Sequence, residues 1–200
     1  MAVSGPSASA LGVVLLAAGS GSRFSGTQHK LLTQVEGKSI FEWALQHAID
    51  AQIGPIAVVY GAVDLPRPPS AQNVNFLHNA NWQSGMASSV QCGLQWASSL
   101  GLQSVVIGLG DQPCIPPSAW ISVAQTASPL AVATYQGVRA NPVKIHAEFF
   151  SHIPTTGDIG ARSLLRSHSE LVTEVPCSGS GIDVDRAEDI DLVATCIHES

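Results

Sequence analysis

An unbroken apolar run, Leu11–Ala18, passes directly into Gly19-Ser20-Gly21-Ser22-Arg23. A run with no polar position reads as a strand buried on both faces, since a half-exposed strand alternates. Such a strand needs partners on either side and cover on both faces. The following segments supply them. Ser39 precedes Ile40, Phe41, Ala44, Leu45, Ala48 and Ile49, one face of a helix with Ser39 as its N-cap. Pro55–Tyr60, Val74–Leu77 and Val105–Leu109 read as further strands, and Met86–Leu100 and Pro117–Ala127 as helices. Val63–Gln72 carries Pro66, Pro68 and Pro69 and reads as loop. The alternation predicts an α/β fold, a three-layer α/β/α sandwich with a mostly parallel, Rossmann-like sheet. Past residue 130 the order changes. Leu130–Tyr135 and Pro142–Ile145 flank a polar turn at Gln136–Asn141 and predict an antiparallel edge. Ile159–His168, Leu171–Val175 and Ala187–His198 read as helix, strand and helix. A disordered lead over 1–10 and one domain over 11–198 are expected.

Composition narrows the function classes. Hydrophobic residues make up 45% of the chain and charged residues 12%, enough apolar material for a core. The net charge of -6 argues against nucleic-acid or anionic-membrane binding. A polyanionic ligand would need a local basic pocket or a metal ion. The opening segment lacks a basic n-region, and no apolar run reaches spanning length, so a cytoplasmic protein is expected. Cys92, Cys114, Cys177 and Cys196 show no C-x-x-C spacing and are expected as isolated reduced thiols. His29, His47, His78, His146, His152, His168 and His198 lack metal-ligand spacing and read as ordinary surface or core residues.

Small residues at a strand end let backbone N–H groups close on an anion. Arg23 adds a bidentate donor, and Lys30 follows within reach of the same phosphates. The dinucleotide fingerprint fails because its third glycine position holds Phe24. A P-loop fails because Gly37-Lys38-Ser39 has Leu32 at its earlier glycine position. A purely structural turn stays open. Gly110-Asp111-Gln112-Pro113 also follows a strand, and an aspartate there can hold Mg²⁺ while substrate phosphates fill other positions. Both segments belong on the rim beyond the strands' carboxyl ends, where open α/β sheets bind ligands. Asp183 and Asp185, at i and i+2, are expected on one side of a strand, completing a metal site with Asp111. Glu188 and Asp189 read as first-turn helix charges. The amides and hydroxyls of Asn79–Ser89 suit a base edge, a ribose or a helix cap.

Taken in order, LAAGSGSRF…KLL, NANWQSGMASS, GDQP, NPV, GDIGARSLL and DVDRAEDI resemble the MobA-like NTP transferases, most closely the molybdenum cofactor cytidylyltransferase branch. The resemblance spans about residues 11 to 198 and implies the nucleotide-diphospho-sugar transferase fold. It implies nucleotide binding by Leu16, Ala17, Ala18, Gly19, Ser20, Gly21, Arg23, Lys30, Asn79, Ser88, Ser89, Gly110 and Asp111. Catalysis would fall to Arg23, Lys30 and Asp111, and Mg²⁺ to Asp111, Asp183 and Asp185. Gln112, Pro113, Asn141, Pro142, Gly157, Asp158, Gly160 and Arg162 would face the acceptor. The implied reaction joins CMP from CTP to a molybdopterin-type phosphate and releases pyrophosphate, with a molybdoenzyme or its chaperone as a further partner. Ala18, where the guanylyl branch usually shows glycine, resembles the cytidylyl branch. Two departures stand out: a longer Arg23–Lys30 spacing, and Ala140-Asn141 ahead of Pro142. GTP-using or sugar-phosphate nucleotidyltransferases, a non-catalytic nucleotide-binding chaperone and an NAD(P) enzyme are the competing readings.

Overall fold

The computed structural model describes residues 11–22, 24, 28–186 and 188–198. The expected lead 1–10, Arg23 and Ala187 lie outside the described residues. The strands are β1 Leu11–Ala17, β2 Gln34–Val35, β3 Lys38–Ser39, β4 Ile56–Tyr60, β5 Val74–His78, β6 Ser104–Leu109, β7 Leu130–Tyr135, β8 Val138–His146 and β9 Val172–Pro176. The helices are α1 Ile40–Asp50, α2 Met86–Ser99, α3 Pro117–Gln125, α4 Arg162–Ser167 and α5 Asp189–His198.

Seven strands form one sheet in the order β5-β4-β1-β6-β8-β7-β9. The apolar β1 lies near the middle, parallel to both β4 and β6. Its side chains alternate between two cores. Val13 and Leu15 join Phe41, Leu45 and Trp120 beneath α1 and α3. Val14 and Leu16 join Val90, Leu94 and Leu164 beneath α2 and α4. Helices on both faces of a mostly parallel sheet match the expected sandwich. Ser39 caps α1 through a full capping box with Glu42.

The second half departs from expectation. The antiparallel strand β8 is internal, hydrogen-bonded to β6 and β7, while parallel β9 forms the edge. The hairpin is also tighter than the Gln136–Asn141 turn. Gln136 and Gly137 both take positive φ, 52° and 81°, which suits a two-residue hairpin turn. Pairing therefore resumes at Tyr135↔Val138, and Asn141 and Pro142 fall in a register shift opposite Val132/Ala133. The helix expected from Ile159 starts at Arg162, after positive-φ Gly157 and Gly160. Asp183 and Asp185, expected on a strand, lie in a stretch, 181–185, with no regular secondary structure.

Cys114 and Cys196 form a disulfide across a sequence separation of 82. This corrects the expectation of reduced thiols for that pair. Spacing alone carried no signal, since the turn after β6 and helix α5 meet only in three dimensions. Cys92 and Cys177 are free. Around the bridge, Val35, Ile40, Val184 and Val193 form a third apolar cluster. Among the described residues, no helix is long and apolar enough to cross a membrane.

The bridge restrains the unfolded chain, so a Cys114→Ser/Cys196→Ser variant should lose about 2–4 kcal/mol of stability. Calorimetry should then show Tm lowered by about 5–15 °C, with dithiothreitol doing the same to the wild type. An unchanged Tm would contradict a closed bridge.

Candidate active site

β1 delivers the glycine loop to the rim and β6 delivers Asp111 beside it. Gly110 N donates to Leu16 O at 2.8 Å, which fixes the two strand ends together. Lys30 opens a 3-10 turn, Lys30–Leu32, capped by His29. Leu31 N donates to His29 Nδ1 at 3.3 Å. The proton of the neutral ring is then on Nε2, which donates to Gly19 O at 3.0 Å. Burial holds the His29 pKa below the ordinary histidine value, with the Gly19 carbonyl pulling against it. A histidine read as ordinary from sequence thus ties the loop to the turn bearing Lys30.

Lys30 Nζ donates to Asp111 Oδ2 at 2.5 Å and to Asp185 Oδ1 at 3.2 Å. Burial works against the ammonium, but Asp111 and then Asp185 outweigh it, raising the lysine pKa. Asp183 points elsewhere: its Oδ1 accepts from Gln112 Nε2 at 2.7 Å. Burial, and then the charge of Asp111, push the Asp183 pKa up. The backbone sets this divergence. Val184 N donates to Asp111 O at 3.0 Å, Val184 is fully buried, and the carboxylates on either side face different ways. Asp189, more than a dipole charge, accepts from Asp185 N and Arg186 N.

These donors suit a divalent cation. Asp111 and Asp185 already converge on one positive atom, the Lys30 ammonium, and Mg²⁺ needs only one or two carboxylates when phosphates and water complete its shell. Asp183 is bonded to Gln112 instead, and no cluster of three metal-binding side chains exists among the described residues.

A cavity of about 340 Å³ opens here. Leu16 to Gly21 form one wall, with Lys30, Asp111 and Ser89 alongside. Asn79 and Ser88 do not line it. Asn79 is buried, and its Nδ2 donates to Ser88 Oγ and Ser89 Oγ at 2.9 and 3.0 Å. It therefore positions the start of α2. Asp158 lines this cavity too, though it was expected at the acceptor. Gly85 explains the placement: at φ 106° it lies so close to Gly157 that a Cβ would come within 2.6 Å of that backbone. Ala87 N to Gly157 O and Gly157 N to Ser84 O complete the junction, both 2.9 Å. Trp82, Gln83 and Met86 also line the cavity; they belong to a segment noted for its amides and hydroxyls, and their own roles were not foreseen.

A second cavity of about 330 Å³ lies on the other side of the Asp111–Gln112 turn. Gln112, Asn141 and Arg162 meet there with Asp183. Asn141 Nδ2 donates to Gln112 Oε1 at 2.9 Å. Arg139 and Arg166 line it as well and were missed, because β8 and α4 become neighbours only through the sheet order. Pro113 and Pro142 are buried; Pro113, Pro142, Gly157 and Gly160 line neither cavity.

Comparison with known proteins gives the chain a family. The model of the MobA-like NTP transferase domain matches residues 13–172. The purine catabolism protein PucB of Bacillus subtilis (strain 168) is 28% identical over 194 residues, 90% of this chain and 94% of PucB. A nucleotidyl transferase from Methanothermobacter thermautotrophicus, Mth528, superposes with a TM-score of 0.82 at 19% identity, covering 96% of this chain and 100% of its own. Rv0371C of Mycobacterium tuberculosis H37Rv, in complex with manganese, superposes with a TM-score of 0.70 at 20% identity over 92% of this chain and 98% of that one. These likenesses in structure bear out the nucleotide-diphospho-sugar transferase fold, and the family match covers both walls of the first cavity: the chain belongs to the MobA-like NTP transferase family.

Proposed function

We propose that this nucleotidyltransferase is Mg²⁺-dependent and transfers CMP from CTP to a molybdopterin-type phosphate acceptor, releasing pyrophosphate. The observation that carries the reading is the pair of carboxylates, Asp111 and Asp185, converging on a single cation at the mouth of the glycine loop. Two cavities on either side of that point suit two substrates. The loop cavity suits the triphosphate, with backbone N–H groups and Lys30 facing its charge. The second cavity suits an anionic acceptor. The chain carries only nine lysines and arginines and a net charge of -6, yet Arg139, Arg162 and Arg166 all line this space. Ala18 and its resemblance to the cytidylyl branch support CTP. A molybdoenzyme or its chaperone would receive the product.

In the reaction, an acceptor phosphate oxygen attacks the α-phosphorus in line. A new P–O bond forms as the bond to the β-phosphate oxygen breaks, and pyrophosphate carries the electrons away. Asp111 and Asp185 would hold the divalent ion, which when bound supplies positive charge against the phosphate oxygens. Lys30 binds phosphate as a point charge. The His29 ring keeps the loop and the Lys30 turn in one arrangement. Leu16 and Ala17 shield the site from the sheet side. Positioning and charge neutralisation thus account for the chemistry asked of the side chains.

Three outcomes follow. A nucleotide saturating at 100 Kd adds about 2.7 kcal/mol, so CTP with Mg²⁺ should raise Tm by about 5–10 °C. ATP, GTP and UTP should raise it less, and a larger shift with GTP would reject the CTP assignment. Asp111→Asn should slow pyrophosphate release about 10²-fold or more, and turnover near the wild-type rate would refute its metal role. His29 has a depressed pKa, so the neutral ring that accepts from Leu31 N contributes fully above the ordinary value of 6.5 and is lost as the pH falls through its lowered value. Between about pH 7.5 and about pH 5.5, CTP affinity should therefore weaken more in the wild type than in His29→Ala. Parallel pH profiles would remove His29 from this role.

A further inference from the structure

The Lys30 ammonium occupies the point where the two carboxylates meet, with side chains of Lys30 and Asp111 only 12% and 18% exposed. A divalent ion cannot share that point, because like charges at contact distance in a half-buried site repel by several kcal/mol or more. Lys30 has a second anionic destination. Its stem runs against the glycine loop, where a Cβ added at Gly21 would lie 3.1 Å from Lys30 Cγ. Its backbone is fixed by the 3-10 turn and the His29 cap. Only the flexible four-carbon stem need turn for the ammonium to pass from the carboxylates to a phosphate on the loop.

We propose that Lys30 is an internal counter-ion that closes the Asp111–Asp185 pair to metal until a triphosphate draws its ammonium away. The proposal rests on the nucleotide reading above but concerns the order of binding, not which base is bound. Charge favours the exchange, since a single ammonium faces two carboxylates and a divalent ion matches both. One positive charge moves from the carboxylates to the phosphates, and the divalent ion takes its place. Without nucleotide, the ammonium offsets carboxylates that would otherwise repel one another, with Asp183 close behind. The lysine thus makes metal uptake conditional on nucleotide.

The test is a Mn²⁺ titration of the whole chain without nucleotide, followed by the loss of the free-ion electron paramagnetic resonance signal. Lys30→Gln should bind Mn²⁺ at least about tenfold more tightly than the wild type, since it lacks the competing charge. A Lys30→Gln/Asp111→Asn double variant should lose that gain. In thermal melts, Mn²⁺ should raise the Tm of Lys30→Gln more than that of the wild type, which also reports that the variant folds. The wild type should gain Mn²⁺ affinity when the non-hydrolysable α,β-methylene analogue of CTP is added, after correction for metal held by free analogue. Equal Mn²⁺ affinities of wild type and Lys30→Gln overturn the proposal, as does a gain that survives Asp111→Asn. A wild type that no nucleotide stabilises overturns the nucleotide reading instead, and the two failures are read from separate measurements.

Discussion

Two carboxylates brought within reach of one ammonium set the terms for the rest of this molecule. Asp111 and Asp185 come from distant parts of the sequence, and a chain of net charge -6 has few cations to reconcile them. The sheet solves the placement. β1 and β6 lie in parallel register, so their ends carry the glycine loop and Asp111 to the same rim. Gly110 N to Leu16 O locks that adjacency, and Val184 N to Asp111 O brings the second acid in. Lys30 then supplies the positive charge that both acids contact. Remove any of these constraints and the carboxylates no longer converge on one point.

The same turn divides the site in two. Asp111 faces the loop cavity and Gln112 faces the arginine-lined one. Gln112 is almost fully buried and spends its amide on Gly181 O, Asp183 and Asn141. It acts as a wall stud that holds two segments in place. A substrate in either cavity therefore meets a rigid partition with the reacting groups at its edge. That arrangement suits a transfer between two bound molecules better than hydrolysis in an open cleft.

Much of this could be read in the chain, for definable reasons. Leu11–Ala18 announced a buried strand because it lacks alternation, and Ser39 ahead of a helix-spaced apolar face announced a helix start, borne out by its capping box with Glu42. Both are local signals, decided within a few residues. The position of β8 inside the sheet was not legible, because antiparallel pairing with β6 depends on contacts far apart in sequence. The two-residue hairpin turn needed a positive φ at Gln136, a residue type with no strong preference for it. Asp183 and Asp185 read as equivalent by their spacing, yet an irregular backbone turns one toward Gln112 and the other toward Lys30. Arg166 and Arg139 carry no motif at all. They matter only because α4 and β8 face one cavity.

Helix α5 shows why the C-terminal segment belongs to the site. It holds no residue of either cavity, yet it governs where Asp185 stands. Asp189 in its first turn accepts from the Asp185 and Arg186 backbones. Val193 packs with Val184, the residue between the two acids. Cys196 is joined to Cys114, two residues beyond Gln112. The acid-bearing segment is therefore held between the partition on one side and α5 on the other, with a covalent bond closing the ring. Ser180 N to Cys114 O, 3.1 Å, adds a further tie near the bridge. An irregular segment has no ladder of its own to keep a carboxylate within hydrogen-bonding distance of Lys30. Here the cap, the apolar contact and the disulfide do that work, which makes α5 a structural part of the cation site.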